Sequence, residues 1–377
     1  MKNRNNILLA TSIGHFLVHC ITLVFPAILI ILRDDFQVSL IQLGELGTIQ
    51  FGFFGLASIP AGWLVDRFGS KNVLLTYFFG TVLSVICIST SHSFSQLAFG
   101  LGLLGLFSGL YHPAGLNLVS HTKNISQNMA YHGISGSLGL TFGPIIGAGI
   151  SAIIDWKIAY IILAILALIG GIFTFLQLKL DKPAGPPSKH YRFKLSQTHY
   201  VILAVASIWG FAHHGLFNYL PIYFSEAVNW NIDDVVTGGM LTAFVLILGV
   251  LGQIIGGKLG ANIPRKKLLV WVVGLNIPFL LLMGYSTGVL LILIVGVLGA
   301  VNFTFQPVNN SLIADVTPKG NRGMVYGLSM GVGYGVGSLA ATVGGYIGEN
   351  YQLSSIFPFL AIVLVPGVLL ALFLSKE

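Results

Sequence analysis

Apolar residues run through this chain in long blocks, not in the narrow stripes that mark one face of a surface helix. A helix needs about 20 predominantly apolar residues to cross the hydrocarbon core of a bilayer. Twelve blocks reach that length, at about 7–32, 40–64, 72–91, 95–120, 127–153, 157–179, 198–225, 234–259, 267–286, 288–313, 322–347 and 352–374. The pattern predicts twelve membrane-spanning helices. One polar interruption of any length, from about Leu180 to Gln197 with Pro183, Pro186 and Pro187, splits them six and six. Residues 1–180 and 198–377 are therefore expected to form two six-helix bundles, joined by a linker over 181–197.

The two halves repeat one another. His19 and Pro26 in the first span are matched 195 residues later by His214 and Pro221, and Gly62 by Gly257. Further along the offset is 194, pairing Pro113 with Pro307, Gly133 with Gly327, Ser135 with Ser329, Gly139 with Gly333 and Gly143 with Gly337. A register that holds from the first span of a half to the fifth indicates a duplicated six-helix unit. Parallel repeats of this kind are related by a pseudo-two-fold along the membrane normal.

Composition agrees, with 55% of residues apolar and 8% charged against about a quarter charged in soluble domains. A soluble globule is excluded. The 47 glycines suggest helices that approach closely through small faces. Net charge is +7, but its distribution argues against a nucleic-acid partner. With the amino terminus placed in the cytoplasm, seventeen of the nineteen Lys and Arg residues fall on that side, and only Arg33 and Lys157 fall on the other. Positive residues retained in cytoplasmic loops set orientation, so both termini are expected in the cytoplasm. Lys2 and Arg4 precede the first apolar block as in a secretory signal, yet the block lacks a small-residue cleavage site and reads as a retained span. Cys20 and Cys87 lie within apolar blocks and suggest neither a disulfide framework nor a thiolate site.

Several motifs narrow the class. After the second block the chain reads Gly62-Trp63-Leu64-Val65-Asp66-Arg67-Phe68-Gly69-Ser70-Lys71, which resembles the major facilitator signature between spans two and three. The counterpart at Gly257-Lys258-Leu259-Gly260-Ala261-Asn262 has alanine at the Asp position. The fifth block carries Gly139, Gly143, Pro144 and Gly147 in a spacing that resembles the antiporter motif of the same superfamily; it is expected to permit bundle-to-bundle contact. Gly14-His15-Phe16-Leu17-Val18-His19 with Phe25-Pro26-Ala27, and Ser108-Gly109-Leu110-Tyr111-His112-Pro113-Ala114-Gly115, are similar to the fosmidomycin-resistance group of major facilitator exporters. The fold implied is an all-α membrane protein with twelve transmembrane helices in two bundles, the major facilitator fold. The resemblance implies secondary transport by alternating access in the cell membrane, with export of a small polar or anionic organic molecule in exchange for protons. It also implies that Asp66 helps latch the bundles when the outer side is open; Gly62 is expected to let a neighbouring helix approach and Gly69 to permit a tight turn, with Arg67 and Lys71 at the cytoplasmic face. The working form is expected to be a monomer in the bilayer.

Two departures bear on coupling. Where that group has Asp four residues after the first histidine this chain has His19, and where it has Glu after His-Pro this chain has Ala114. Imidazoles take the place of intramembrane carboxylates, and a neutral histidine is cheaper to bury than an ionised acid. His15 and His19 share a helix face, and the repeat puts His19 opposite His214. Candidate substrate or proton groups are His15, His19, Tyr111, His112, Asn117, His214, Asn218, Gln306 and Asn309, with Glu45 as the single carboxylate inside a block. Adjacent His213 and His214 are expected not to face the cavity together, and His132 is expected to be structural.

No complete Gly-x-x-x-x-Gly-Lys-Ser/Thr loop, Cys-x-x-Cys or His-Glu-x-x-His pattern occurs, so no ATP-driven step, cofactor, resident metal or enzymatic activity is expected. Two alternatives stay open at this point: uptake of a metabolite or metal chelate, and a transport-inactive sensor.

Overall fold

The computed structural model describes residues 2–122, 125–179, 194–318 and 321–376. Among them every regular element is helical, and twelve long helices account for nearly all of the chain. They are α1 (Asn5–Ala27), α2 (Leu40–Phe68), α3 (Ser70–Ser89), α4 (Phe94–Ser120), α5 (Ile125–Ile153) and α6 (Trp156–Gln177), followed by α7 (Gln197–Ala227), α8 (Asp234–Asn262), α9 (Arg265–Met283), α10 (Gly288–Val316), α11 (Arg322–Asn350) and α12 (Leu353–Leu374). All but α11 contain a stretch long and apolar enough to cross a membrane. Helix α11 has 29 residues, nine of them glycine, so its length suffices while its mean hydropathy is low. Of the expected linker, residues 181–193 lie outside the described ones, and Gln197 already opens α7.

Prolines shape the helices, and their neighbours answer them. Proline has no N–H for the carbonyl one turn back, which leaves that oxygen open. Pro26 frees the Thr22 carbonyl, which accepts Gln50 Nε2 from α2 at 2.9 Å. Pro113 frees the Gly109 carbonyl, which accepts Ser58 Oγ from the same helix at 3.3 Å. Gln50 and Ser58 are buried, so α2 supplies α1 and α4 with the donors that lipid cannot. Helix α1 is offset at Leu23, and α4 breaks at Leu110, three residues before Pro113. The same break recurs in α10 at Thr304, three residues before Pro307. The repeat read in the sequence is thus a repeat of backbone shape.

At the end of the molecule that holds most of the basic residues, called here the basic end, Gly69 joins α2 to α3 with φ 80°, a conformation suited to glycine. That turn aims Lys71 inward. Its ammonium donates to the carbonyls of Phe175 and Leu178, neutralising the unpaired carbonyl end of α6. Arg67 lies over the rings of Trp63 and Phe68 at 5.2 and 5.6 Å. Asp66 is exposed, with no hydrogen bond or ion pair among the described residues.

The bundles meet along two seams, α2 against α11 and α5 against α8. Since α8 and α11 repeat α2 and α5, the two seams are one contact made twice. Glycines set the first: Gly44 and Gly47 face Ala341, Gly52 faces Ser338, and Gly55 faces Gly331 and Gly335. Side chains add Thr48 Oγ1, which donates to the Ser338 carbonyl at 2.8 Å. Close approach extends from Leu40 at the opposite, acidic end to Ser58, whose carbonyl lies 3.5 Å from where a Cβ on Gly327 would sit. Beyond it, Gly62 and Gly323 have open space beside them among the described residues, which corrects the expectation that a neighbouring helix approaches at Gly62.

The antiporter-like glycines do not form a seam. Gly139, Gly143 and Gly147 pack against Phe16, Cys20 and Val24 of α1, inside their own bundle. This corrects the expectation of bundle-to-bundle contact through them. The inter-bundle partner on α5 is the carbonyl of Pro144 with Ala148, both against Gly239 of α8. A single glycine face can serve one neighbour, and α1 takes it.

The acidic end is closed by a cap that crosses between bundles. Ser39 and Gln42 form a capping box at the start of α2, and the next free donor, the Leu40 N–H, is bound by Glu349 Oε2 of α11 at 2.7 Å. A carboxylate at a helix N-terminus is favourable both as an acceptor and against the helix dipole. Glu349→Gln is therefore expected to weaken the closed acidic end by about 1–2 kcal/mol. The distance between spin labels at Ile154 and Tyr351, exposed at the same end on opposite halves, should lengthen in the variant; an unchanged distance would remove the cap from the closure.

Candidate functional site

A small cavity of about 40 Å³ lies between the bundles, near the middle of the helices. It has room for a water molecule or two. From the first bundle His19, Phe51 and Leu140 line it, and from the second His213, His214, Phe217, Asn218 and Tyr334. His19 and His214, the pair related by the repeat, meet at one cavity. His213 also lines it, which corrects the expectation that two adjacent histidines could not; the cavity wraps around α7 and is reached by side chains about 100° apart on the helix.

Four imidazoles gather on the first-bundle side. His15 stacks on His132 with ring centroids 4.1 Å apart, and His19 and His112 lie 5.0 and 5.3 Å from His15. His15 Nδ1 is 2.7 Å from the His132 carbonyl oxygen. A carbonyl only accepts, so that nitrogen carries the proton, and in the neutral ring Nε2 presents a lone pair. His19 Nε2 lies 3.2 Å from it. The glycine at 136 makes the arrangement possible, since a side chain there would occupy the space of the His15 ring.

The second-bundle side is fixed by a chain of amides. The Val272 carbonyl accepts Asn276 Nδ2 at 2.7 Å. Asn276 Oδ1 accepts Asn302 Nδ2 at 3.0 Å, and Asn302 Oδ1 accepts the His213 Nδ1–H at 2.6 Å. Each link orients the next, so His213 has its Nε2 lone pair free for the cavity. Trp209, stacked between His213 at 4.5 Å and Phe305 at 4.1 Å, backs the ring.

Other expected site residues do not line the central cavity, although the Tyr111 ring stacks on His15 with centroids 5.6 Å apart. Tyr111 is fully buried and donates its hydroxyl to the Thr11 carbonyl, bracing α4 against α1. Asn117 accepts Ser70 Oγ at 2.9 Å, near the turn after α2. Asn309 Nδ2 donates to Ser329 Oγ at 3.2 Å, tying α10 to α11. Gln306 and Glu45 are exposed and outside the cavity lining. His132, expected to be structural, stacks on His15 within the histidine group. No local pattern marks it; only the close approach of α5 to α1, prefigured by the Gly139 and Gly143 spacing, brings it there. Phe54 and Tyr334, whose rings stack 4.2 Å apart across the seam, were equally invisible in the sequence.

A larger depression of about 590 Å³ opens at the acidic end beside Arg33, Glu226 and Glu349. It sits at the surface. Both bundles line each space with ionisable groups, and the small central cavity is the one that gathers histidines from both.

The Major Facilitator Superfamily family model matches residues 11–301 and again 229–377. The chain belongs to that superfamily. Its twelve helices in two bundles are the fold of a multi-pass membrane transporter, and a secondary transporter is the class of protein it represents. Among curated relatives, the fosmidomycin resistance protein of Escherichia coli K12 is 24% identical over 383 residues, covering 96% of this chain and 91% of the relative. The voltage-gated purine nucleotide uniporter SLC17A9 of Mus musculus is 23% identical, over 93% of this chain and 85% of its own. Among solved structures, a bacterial homologue of the human lysosomal transporter Spinster, inward-facing and occupied, superposes with TM-score 0.80 at 14% identity. That match covers 100% of this chain and 97% of the other.

Proposed function

We propose that this superfamily member exports a small polar or anionic organic molecule in exchange for protons, by rocking of bundles 1–180 and 198–377 about the central cavity. The observation that carries the reading is the meeting of His19 with His213 and His214 at one cavity between the bundles. Groups held by opposite bundles around one space can sense both cargo and conformation. The neutral imidazoles of His213 and His214 also give the cavity groups that gain charge by binding a proton, as exchange for protons requires. The similarity to the fosmidomycin resistance protein over most of both chains supports export.

In this reading the basic end faces the cytoplasm, the closed acidic end faces outward, and the structure is an inward-facing state in which Asp66 has released its latch. The protein works as a monomer in the cell membrane. Proteoliposomes test the proposal: an outward cargo gradient should drive protons inward, and collapsing a proton gradient should abolish cargo accumulation. Cargo that instead accumulates together with protons would reverse the assigned direction. Cargo that binds without any flux would identify a sensor.

A further inference from the structure

We propose that His15, His19 and His112 bind a divalent transition-metal ion of the zinc class, with one coordination position left open toward the central cavity. One ring nitrogen from each of the three lies within 4.8 Å of those of the other two. His15 and His19 come closer still, Nε2 to Nε2, at 3.2 Å. Two imidazole nitrogens on a tetrahedral zinc ion, each at about 2.0–2.1 Å from the metal, stand about 3.3 Å apart, so this pair already has the spacing of metal ligands.

His112 supplies an independent sign. It is 8% exposed, and its buried Nε2 has no hydrogen-bond partner among the described residues. A buried polar nitrogen left unpaired costs free energy, and a metal bond is one way to recover it. His15 meets a further requirement of a ligand histidine. Metal-bound imidazoles donate their other ring N–H to a carbonyl or carboxylate, which fixes tautomer and orientation; His15 Nδ1 makes that bond to the His132 carbonyl. His132 then stacks over the ring from behind.

Ligand type sets the metal class. Three imidazoles with no carboxylate or thiolate among them suit zinc, nickel, cobalt or copper, and give little to magnesium or calcium, which require oxygen. Three protein ligands also leave the fourth tetrahedral position free, as in sites where zinc holds a water or a substrate. His19 belongs both to the cluster and to the cavity wall, so the free position faces the space assigned to cargo. The long helices of this chain bring no Lys or Arg to that cavity. A divalent ion would supply the permanent positive charge that an anionic cargo lacks there.

Cobalt(II) reports the site directly, because tetrahedral coordination gives visible absorption bands that octahedral cobalt in buffer shows only weakly. Full-length protein in detergent, titrated with Co²⁺, should develop those bands to saturation at one equivalent, and Zn²⁺ should bleach them while Mg²⁺ should not. His19→Gln and His112→Gln should each abolish the bands. His92→Gln/His121→Gln, which removes two exposed histidines, should retain them, and elution volume and melting temperature would confirm that every variant is folded. Absence of saturable bands in the wild type, or their survival in both single variants, would overturn the site. The readout needs no cargo and no flux, so its failure is distinct from failure of proton-coupled export.

Discussion

In reconstituted vesicles His19→Ala is expected to transport at about one-tenth of the wild-type rate or less. The substitution takes a polar group from the cavity wall and leaves the His15 Nε2 lone pair without its neighbour at 3.2 Å. Removing one partner of a buried polar contact costs about 1–3 kcal/mol, and each 1.4 kcal/mol is a factor of ten. His132→Ala should have a smaller effect for a specific reason. His15 is oriented by the backbone carbonyl of residue 132, not by its imidazole, so alanine keeps the orienting bond and loses only the stacked ring. Initial rates normalised to incorporated protein measure both. Near-native rates in both variants would remove the histidine group from transport.

Gly44→Val is expected to hold the acidic end open and stop turnover while leaving each bundle folded. A Cβ at residue 44 would meet the Ala341 carbonyl and come within 2.8 Å of the Thr342 Cα. Both are backbone atoms of α11 and cannot swing aside as a side chain can. The clash falls between bundles, so it opposes closure of the seam and not formation of α2. Overpacking of this kind costs about 1–3 kcal/mol, enough to change the ratio of closed to open states by about 5- to 150-fold. Spin labels at Ile154 and Tyr351, exposed at the acidic end on opposite halves, should show a longer distance in the variant. An unaltered distance distribution with full transport would show that the seam yields elsewhere. Gly62→Val makes a useful comparison, because among the described residues no atom lies within 4 Å of a Cβ at that position.

Much of the fold was legible because lipid imposes a strong constraint on sequence. A helix that crosses the bilayer must stay apolar for its whole length, and the block at 234–259 is helix α8 over Asp234–Asn262. Boundaries drifted in both directions: α2 outruns its apolar block to reach Phe68, while the blocks at 7–32 and 267–286 run past the ends of α1 and α9. The breaks were less legible. Pro113 warned of a disturbed helix, but nothing local indicated that Ser58 would receive the freed carbonyl. The glycines of α5 show the limit of motif reasoning: their spacing establishes that one face is small, and only packing decides that α1 occupies it.

The same division holds at the candidate site. His15 and His19 were linked by helical geometry alone, since residues four apart share a face. His112 and His132 joined them through contacts between α1, α4 and α5, and Tyr111, equally conspicuous in its motif, turned its hydroxyl away to the Thr11 carbonyl. Polar residues in spans all look alike as letters. Whether each is used within a bundle or presented to a cavity depends on which acceptors lie within about 3 Å, and that is a property of tertiary packing.

By itself the sequence determined the solvent, the number of helices and their division into two halves, because apolar length, charge and internal repetition are one-dimensional quantities. The tertiary structure decided which histidines meet, which seam the glycines serve and which end is closed. Those outcomes depend on distances between helices far apart in the chain, and a hydrogen bond or a metal ligand set is defined by such distances and not by spacing along the sequence.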